Sequence, residues 1–123
     1  MYKYNPQHAP DAAEWLALDE QERMTLVEAY HRKLRIKLPN LTLHATIHSI
    51  VENQIAEGHA PVIRAMTRLT AAGLSRHDAV HAIGSVLATH LVELLKTEPT
   101  GANPMVGYDA AIERLTAESW RRG

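Results

Sequence analysis

The stretch SRHDAVHAIGSVLATHLVELLK, residues 75–96, decides the fold class of this chain of 123 residues. Its apolar residues recur every three or four positions, which is the spacing of one face of an α-helix. Ser75 and Asp78 have the spacing of a helix start, because the serine side chain can accept a hydrogen bond from the backbone three residues later. The stretch therefore predicts one long helix that ends near Lys96.

The rest of the chain has the same helical pattern, and no segment alternates apolar and polar residues as a β-strand does. Asp19 and Glu22 have the spacing of a capping box, and Gly58 and Gly73 suit the positions that follow helix ends. We expect an all-α fold, a helical bundle of four main helices plus a short N-terminal helical segment. The helical pattern itself covers about 11–18, 19–38, 40–57, 60–72, 76–96 and 107–122, which is one stretch more than that count.

Composition limits the classes of protein to which the chain can belong. Apolar residues make up 46% and charged residues 22%, so we expect a single globular domain over 1–123, with its motif-bearing core at about 40–97. The formal net charge of −1 argues against nucleic acid as a partner. Without cysteine there are no disulfides and no thiolate ligands. No apolar run is long enough to span a membrane, and the first residues lack a signal-peptide pattern, so a cytoplasmic location is expected.

Histidine is abundant, with eight residues, whereas phenylalanine is absent. Two pairs have i,i+4 spacing: His44 with His48, and His77 with His81. Such a pair spans about 6 Å of helix axis, so its two imidazoles can share one ion. Each pair lies in the first two turns of its predicted helix, and short connections would make the two helices parallel. The sequence therefore predicts that all four imidazoles converge on one metal ion.

Carboxylates next to these pairs extend the candidate site. Glu52 continues the row of His44 and His48, and it could be a ligand, an orienting group or a general base. Asp78 could also offer an oxygen, although its position is explained by helix capping. Nitrogen and oxygen ligands suit a divalent Zn, Fe, Ni or Mn ion, and no organic cofactor is predicted. An open coordination position would make the protein a metal-dependent hydrolase.

Two other interpretations remain open. In the first, the histidines are packed and hydrogen-bonded within a non-catalytic interaction or structural protein. In the second, His77 and Asp78 resemble the paired ligands of the HD phosphohydrolases, with His48 and Asp109 as their partners. That family's pair follows an apolar run inside a helix, whereas here it begins one. Neither HATIH nor HDAVH has the glutamate of the HExxH zinc proteases.

The segments LHATIHSIVENQ (43–54) and RLTAAGLSRHDAVHAIGSVL (68–87) resemble a family of small bacterial helical proteins of unknown function. The resemblance covers a little under half of the chain and implies no activity. It does imply that the two histidine pairs and the Glu-x-Gln belong to one motif. The matching positions are His44, His48, Glu52, Gln54, Pro61, His77, His81 and Gly84.

Partners follow from the charge pattern and the fold class. The basic run at 31–37 lies at a predicted helix end, where cations complement the helix dipole, so a solvated surface explains it without nucleic acid. Small helical bundles commonly pair about a two-fold axis, and a homodimer is therefore expected.

Overall fold

The structure, a computed structural model, describes residues 3–33, 41–96 and 104–122. Within these ranges every regular element is a helix and no strand occurs, which confirms the all-α prediction. Five of the seven helices there have 11 to 21 residues, so the predicted count of four main helices is not confirmed. The helices are α1 (Ala12–Ala17), α2 (Glu20–Lys33), α3 (Leu41–Ala56), α4 (Ala60–Ala71), α5 (Arg76–Lys96), α6 (Pro104–Arg114) and α7 (Ala117–Arg121).

Several helix boundaries form through the side chains that the sequence predicted. The Glu22 backbone N–H donates to Asp19 Oδ1 at 2.8 Å, and the Asp19 N–H donates to Glu22 Oε1 at 3.2 Å. The Asp78 N–H donates to Ser75 Oγ at 3.1 Å and opens α5. Gly58 has a φ of 72° after α3, a left-handed conformation that glycine adopts without steric cost.

The single helix expected over 107–122 is wrong, because the structure has two helices there. Helix α6 begins earlier, at Pro104, which suits a first helical turn since its missing N–H would lack a helical partner anyway. The chain then leaves the helix at Leu115, and Thr116 caps α7. The Thr116 side chain accepts from the Ser119 N–H at 3.0 Å, and Ser119 Oγ accepts from the Thr116 N–H at 3.1 Å.

The chain divides into two compact units, Met1–His59 and Ala60–Gly123. The first contains α1, α2 and α3, and the second contains the four later helices. The single-domain organisation stays a prediction. None of the described helices combines the length and apolar character that crossing a membrane requires.

In the first unit, α3 packs against α1 and α2 around a small aromatic core. Tyr4, Trp15, Val27 and Ala45 are buried together. The Trp15 indole N–H donates to Asn53 Oδ1 at 2.9 Å, which ties α1 to α3 through a polar bond as well as through packing. These contacts fix the face of α3 that carries the candidate site.

In the second unit, α4, α5 and α6 pack against one another through aliphatic side chains. Arg68 on α4 donates to the Leu115 backbone carbonyl at 3.0 Å and to the Ile112 carbonyl at 2.9 Å. Carbonyls at a helix end have no partner within the helix, so this arginine supplies one for α6. The buried side chains include Val62, Ala65, Leu69, Val80, Ile83, Leu87, Tyr108 and Ile112.

Candidate metal-binding site

The first histidine pair lies on α3 in the first unit. The rings of His44 and His48 are 5.8 Å apart between centroids and nearly perpendicular, at 83°. One ring nitrogen of each residue lies within 4.8 Å of the other. His44 is half-buried and His48 is buried. The i,i+4 spacing therefore brings these two imidazoles side by side, as the sequence predicted.

Tyr4 joins this pair from the non-helical segment that precedes α1. Its hydroxyl donates to Glu52 Oε2 at 2.5 Å and lies 2.8 Å from His48 Nε2. The Tyr4 and His48 rings meet edge to face, with 5.3 Å between their centroids. Tyr4, His48 and Glu52 are 4%, 2% and 1% exposed, so this polar chain is enclosed within the unit.

The buried carboxylate of Glu52 determines the chemical role that this hydrogen-bonded chain of three side chains can have. A carboxylate in a low-dielectric interior is costly unless hydrogen bonds compensate for the lost water. The Tyr4 hydroxyl provides such a bond, and it connects Glu52 to His48 through one oxygen atom. Of the three roles predicted for Glu52, that of an orienting group is compatible with this contact, and the role itself stays a prediction.

The sequence contains no motif that marks Tyr4 as part of the site. Tyr4 lies 44 residues before His48, and no helical repeat or motif spacing relates the two positions. Its only signal is that it is one of two tyrosines, with Tyr2, in a short N-terminal stretch, which is equally typical of a residue that packs against a core. The short turn after it, with the His8 N–H donating to the Asn5 carbonyl at 3.0 Å, leads the chain into α1.

The second pair lies in the first two turns of α5, in the second unit. His77 Nε2 and His81 Nε2 are 3.1 Å apart, and the ring centroids are 4.2 Å apart. Two nitrogens bound to one ion at about 2.0–2.1 Å, with an angle of about 90–110°, lie about 2.8–3.4 Å from each other. The observed separation falls within that range. It also fits an N–H···N hydrogen bond, in which one ring donates to the other.

The remaining candidates occupy less distinctive positions. Asp78 is half-buried in the first turn of α5, where its backbone N–H is held by Ser75. Gln54 on α3 and Asp109 on α6 are also half-buried. The basic run extends from the end of α2 into residues 34–37, and its side chains lie outside the described residues.

Comparisons with protein-family models, with curated proteins and with solved structures give no match to this chain. The resemblance to small bacterial helical proteins therefore stays a prediction.

Proposed function

We propose that this protein binds a divalent metal ion through the imidazoles of its two His-x-x-x-His pairs. The observation that carries the proposal is the 3.1 Å separation of His77 Nε2 and His81 Nε2, which is the spacing of two nitrogen ligands on one ion. His44 and His48 offer a second pair of neighbouring nitrogens. Imidazole donors without thiolate suit Zn, Fe, Ni or Mn.

The chemistry at such an ion depends on whether one coordination position stays open. A water bound there becomes a nucleophile near neutral pH, which makes metal-assisted hydrolysis the reaction class to assay. Glu52 is then the candidate general base or orienting group. If protein nitrogens fill every position, the ion has a structural role, as in closed zinc sites.

The second candidate function is that of a helical interaction or structural protein without a metal. The observation that favours it is the same contact, since an N–H···N hydrogen bond also holds two imidazole nitrogens about 3 Å apart. The enclosed Tyr4–His48–Glu52 chain is likewise a hydrogen-bonded polar network that a core can contain without an ion.

Metal analysis separates the two functions. Purified protein is washed with chelator, loaded separately with Zn²⁺, Ni²⁺, Mn²⁺ and Fe²⁺, and assayed for bound metal per chain. We expect close to one equivalent of the preferred ion in the natural protein and a large loss in His81→Ala and His48→Ala. His90→Ala removes another half-buried imidazole of α5 outside the pair and should keep the metal. Less than about one-tenth of an equivalent in the natural protein would overturn the proposal.

Three further expectations belong to the same proposal. We infer membership of the bacterial family that the motif resembles, a cytoplasmic location, and assembly into a homodimer. Light scattering on the purified protein measures the mass of the assembly directly, and a mass of 13.7 kDa would contradict the dimer.

A further inference from the structure

We infer that Tyr4 and Glu52 hold the His48 imidazole in the form protonated at Nε2, so that Nδ1 is the nitrogen that His48 offers to a ligand. The first half of this inference concerns the metal-free protein. The second half, the use of Nδ1, rests on the proposed metal-binding function.

The Tyr4 hydroxyl carries a single proton. That proton is donated to Glu52 Oε2 at 2.5 Å, so it is not also available to His48. The Tyr4 oxygen still has lone pairs and lies 2.8 Å from His48 Nε2. A contact at this distance between an oxygen and a ring nitrogen is a hydrogen bond only if one of them donates. His48 Nε2 must therefore carry the proton and donate it to the Tyr4 oxygen.

Burial makes this direction of donation energetically important. Tyr4, His48 and Glu52 are almost inaccessible, so water cannot replace a lost partner. With Glu52 ionised, reversing the chain would take the Tyr4 donor away from a buried carboxylate, and the interior offers no water to replace that hydrogen bond. The ordered chain from imidazole to phenol to carboxylate gives each of the three groups a hydrogen-bond partner.

A neutral imidazole protonated at Nε2 carries its lone pair on Nδ1. Groups that accept the far N–H of a metal-binding histidine fix its tautomer and its ring orientation, and they raise its basicity. In this protein Tyr4 accepts the Nε2–H of His48 directly, and Glu52 acts on His48 through Tyr4. Tyr4 is thus a positioning residue for His48, supplied by a segment 44 residues away in the chain.

The first measurement is made on the metal-free protein at neutral pH. Long-range ¹H–¹⁵N correlation spectra distinguish a protonated ring nitrogen from a bare one, and His48→Ala identifies the signals. We expect His48 to be protonated at Nε2 and bare at Nδ1. Tyr4→Phe keeps the ring but removes the acceptor oxygen, so we expect a mixture of tautomers. Tyr108→Phe removes the same atom from a buried tyrosine in the second unit and should leave His48 unchanged.

The second measurement is metal affinity in the same variants. Loss of such a supporting group typically weakens metal binding about 10- to 100-fold, and we expect this for Tyr4→Phe and Glu52→Gln but not for Tyr108→Phe. Circular dichroism confirms that each variant keeps its helices.

Each measurement can contradict one part of the inference without contradicting the other. A His48 protonated at Nδ1, or at both nitrogens, in the natural protein would overturn the inference and leave the metal proposal standing. The expected tautomer with no metal bound would support the hydrogen-bonded chain and overturn the use of Nδ1 as a ligand. Unchanged metal affinity in Tyr4→Phe would overturn the positioning role.

Discussion

The buried guanidinium of Arg23 is central to the first unit at the scale of single residues. Its Nε donates to the Trp15 carbonyl at 3.0 Å, and its Nη2 donates to the Leu16 carbonyl at 2.8 Å. Both carbonyls lie in the last turn of α1, where the regular i→i+4 donors run out, and the Trp15 carbonyl also accepts from the Leu18 N–H at 3.2 Å. Arg23 also contacts Glu20 at 2.9 Å, but the Glu20 side chain is 66% exposed, so solvent screens that ion pair.

We predict that Arg23→Met destabilises the protein by about 1–3 kcal/mol, because methionine keeps an apolar stem but removes the side-chain donor of the Leu16 carbonyl and leaves the Trp15 carbonyl only the Leu18 N–H. Glu20→Gln removes only the exposed charge and should cost less than about 1 kcal/mol. Urea unfolding followed by circular dichroism gives both free energies. Equal losses in the two variants would show that the ion pair, rather than the helix end, accounts for the contribution of Arg23.

The histidine pairs were predictable because the geometry of a helix relates residues four apart. The partners of those pairs were not predictable, because Tyr4 and Arg23 act across long stretches of chain. Tyr4 contacts His48, which lies 44 positions later, and Glu52, which lies 48 positions later. Arg23 contacts Asn53, which lies 30 positions later. Such contacts depend on how the helices pack, and one sequence contains no spacing rule for that.

At the scale of helices, the sequence signals that predict helix ends correctly are those that act on backbone groups only a few residues away. The capping box at Asp19 and the left-handed glycine at Gly58 both satisfy groups within a few residues, and both are confirmed. The break between α6 and α7 was missed because its cap pairs Thr116 with Ser119, whereas the familiar capping box has glutamate or glutamine at the later position.

Gly58 ends α3, the helix that carries His44, His48 and Glu52. Its φ of 72° disfavours any residue with a Cβ, although, within the part of the chain that the structure describes, no atom beyond its chain neighbours lies within 4 Å of the place that a Cβ would occupy. We therefore predict that Gly58→Ala lowers the free energy of unfolding by about 1–2 kcal/mol through backbone strain alone.

Asparagine adopts left-handed backbone conformations more readily than alanine, so Gly58→Asn provides the matched control and should cost less. Thermal unfolding of the two variants beside the natural protein measures the difference. A Gly58→Ala protein as stable as the natural one would contradict a requirement for the left-handed conformation at the end of α3.

At the scale of the whole molecule, each of the two compact units carries one histidine pair. The sequence predicts both pairs from their spacing, and it predicts a shared ion from the assumption that short connections keep the two helices parallel. Within each unit, the geometry of its own pair accounts for two nitrogen ligands. The number of ions per chain therefore distinguishes a shared site from two separate ones.

We predict one ion per chain, bound with ligands from both pairs. Calorimetric titration with Zn²⁺ should give a stoichiometry near one, and Zn²⁺ at about a hundred times its dissociation constant should raise the free energy of unfolding by about 2.7 kcal/mol. Replacing either pair, as His44→Ala with His48→Ala or as His77→Ala with His81→Ala, should abolish both effects. His8→Ala with His90→Ala removes two imidazoles outside the pairs and should preserve them. Two equivalents in the natural protein, with one retained in each pair variant, would show instead that each pair binds its own ion.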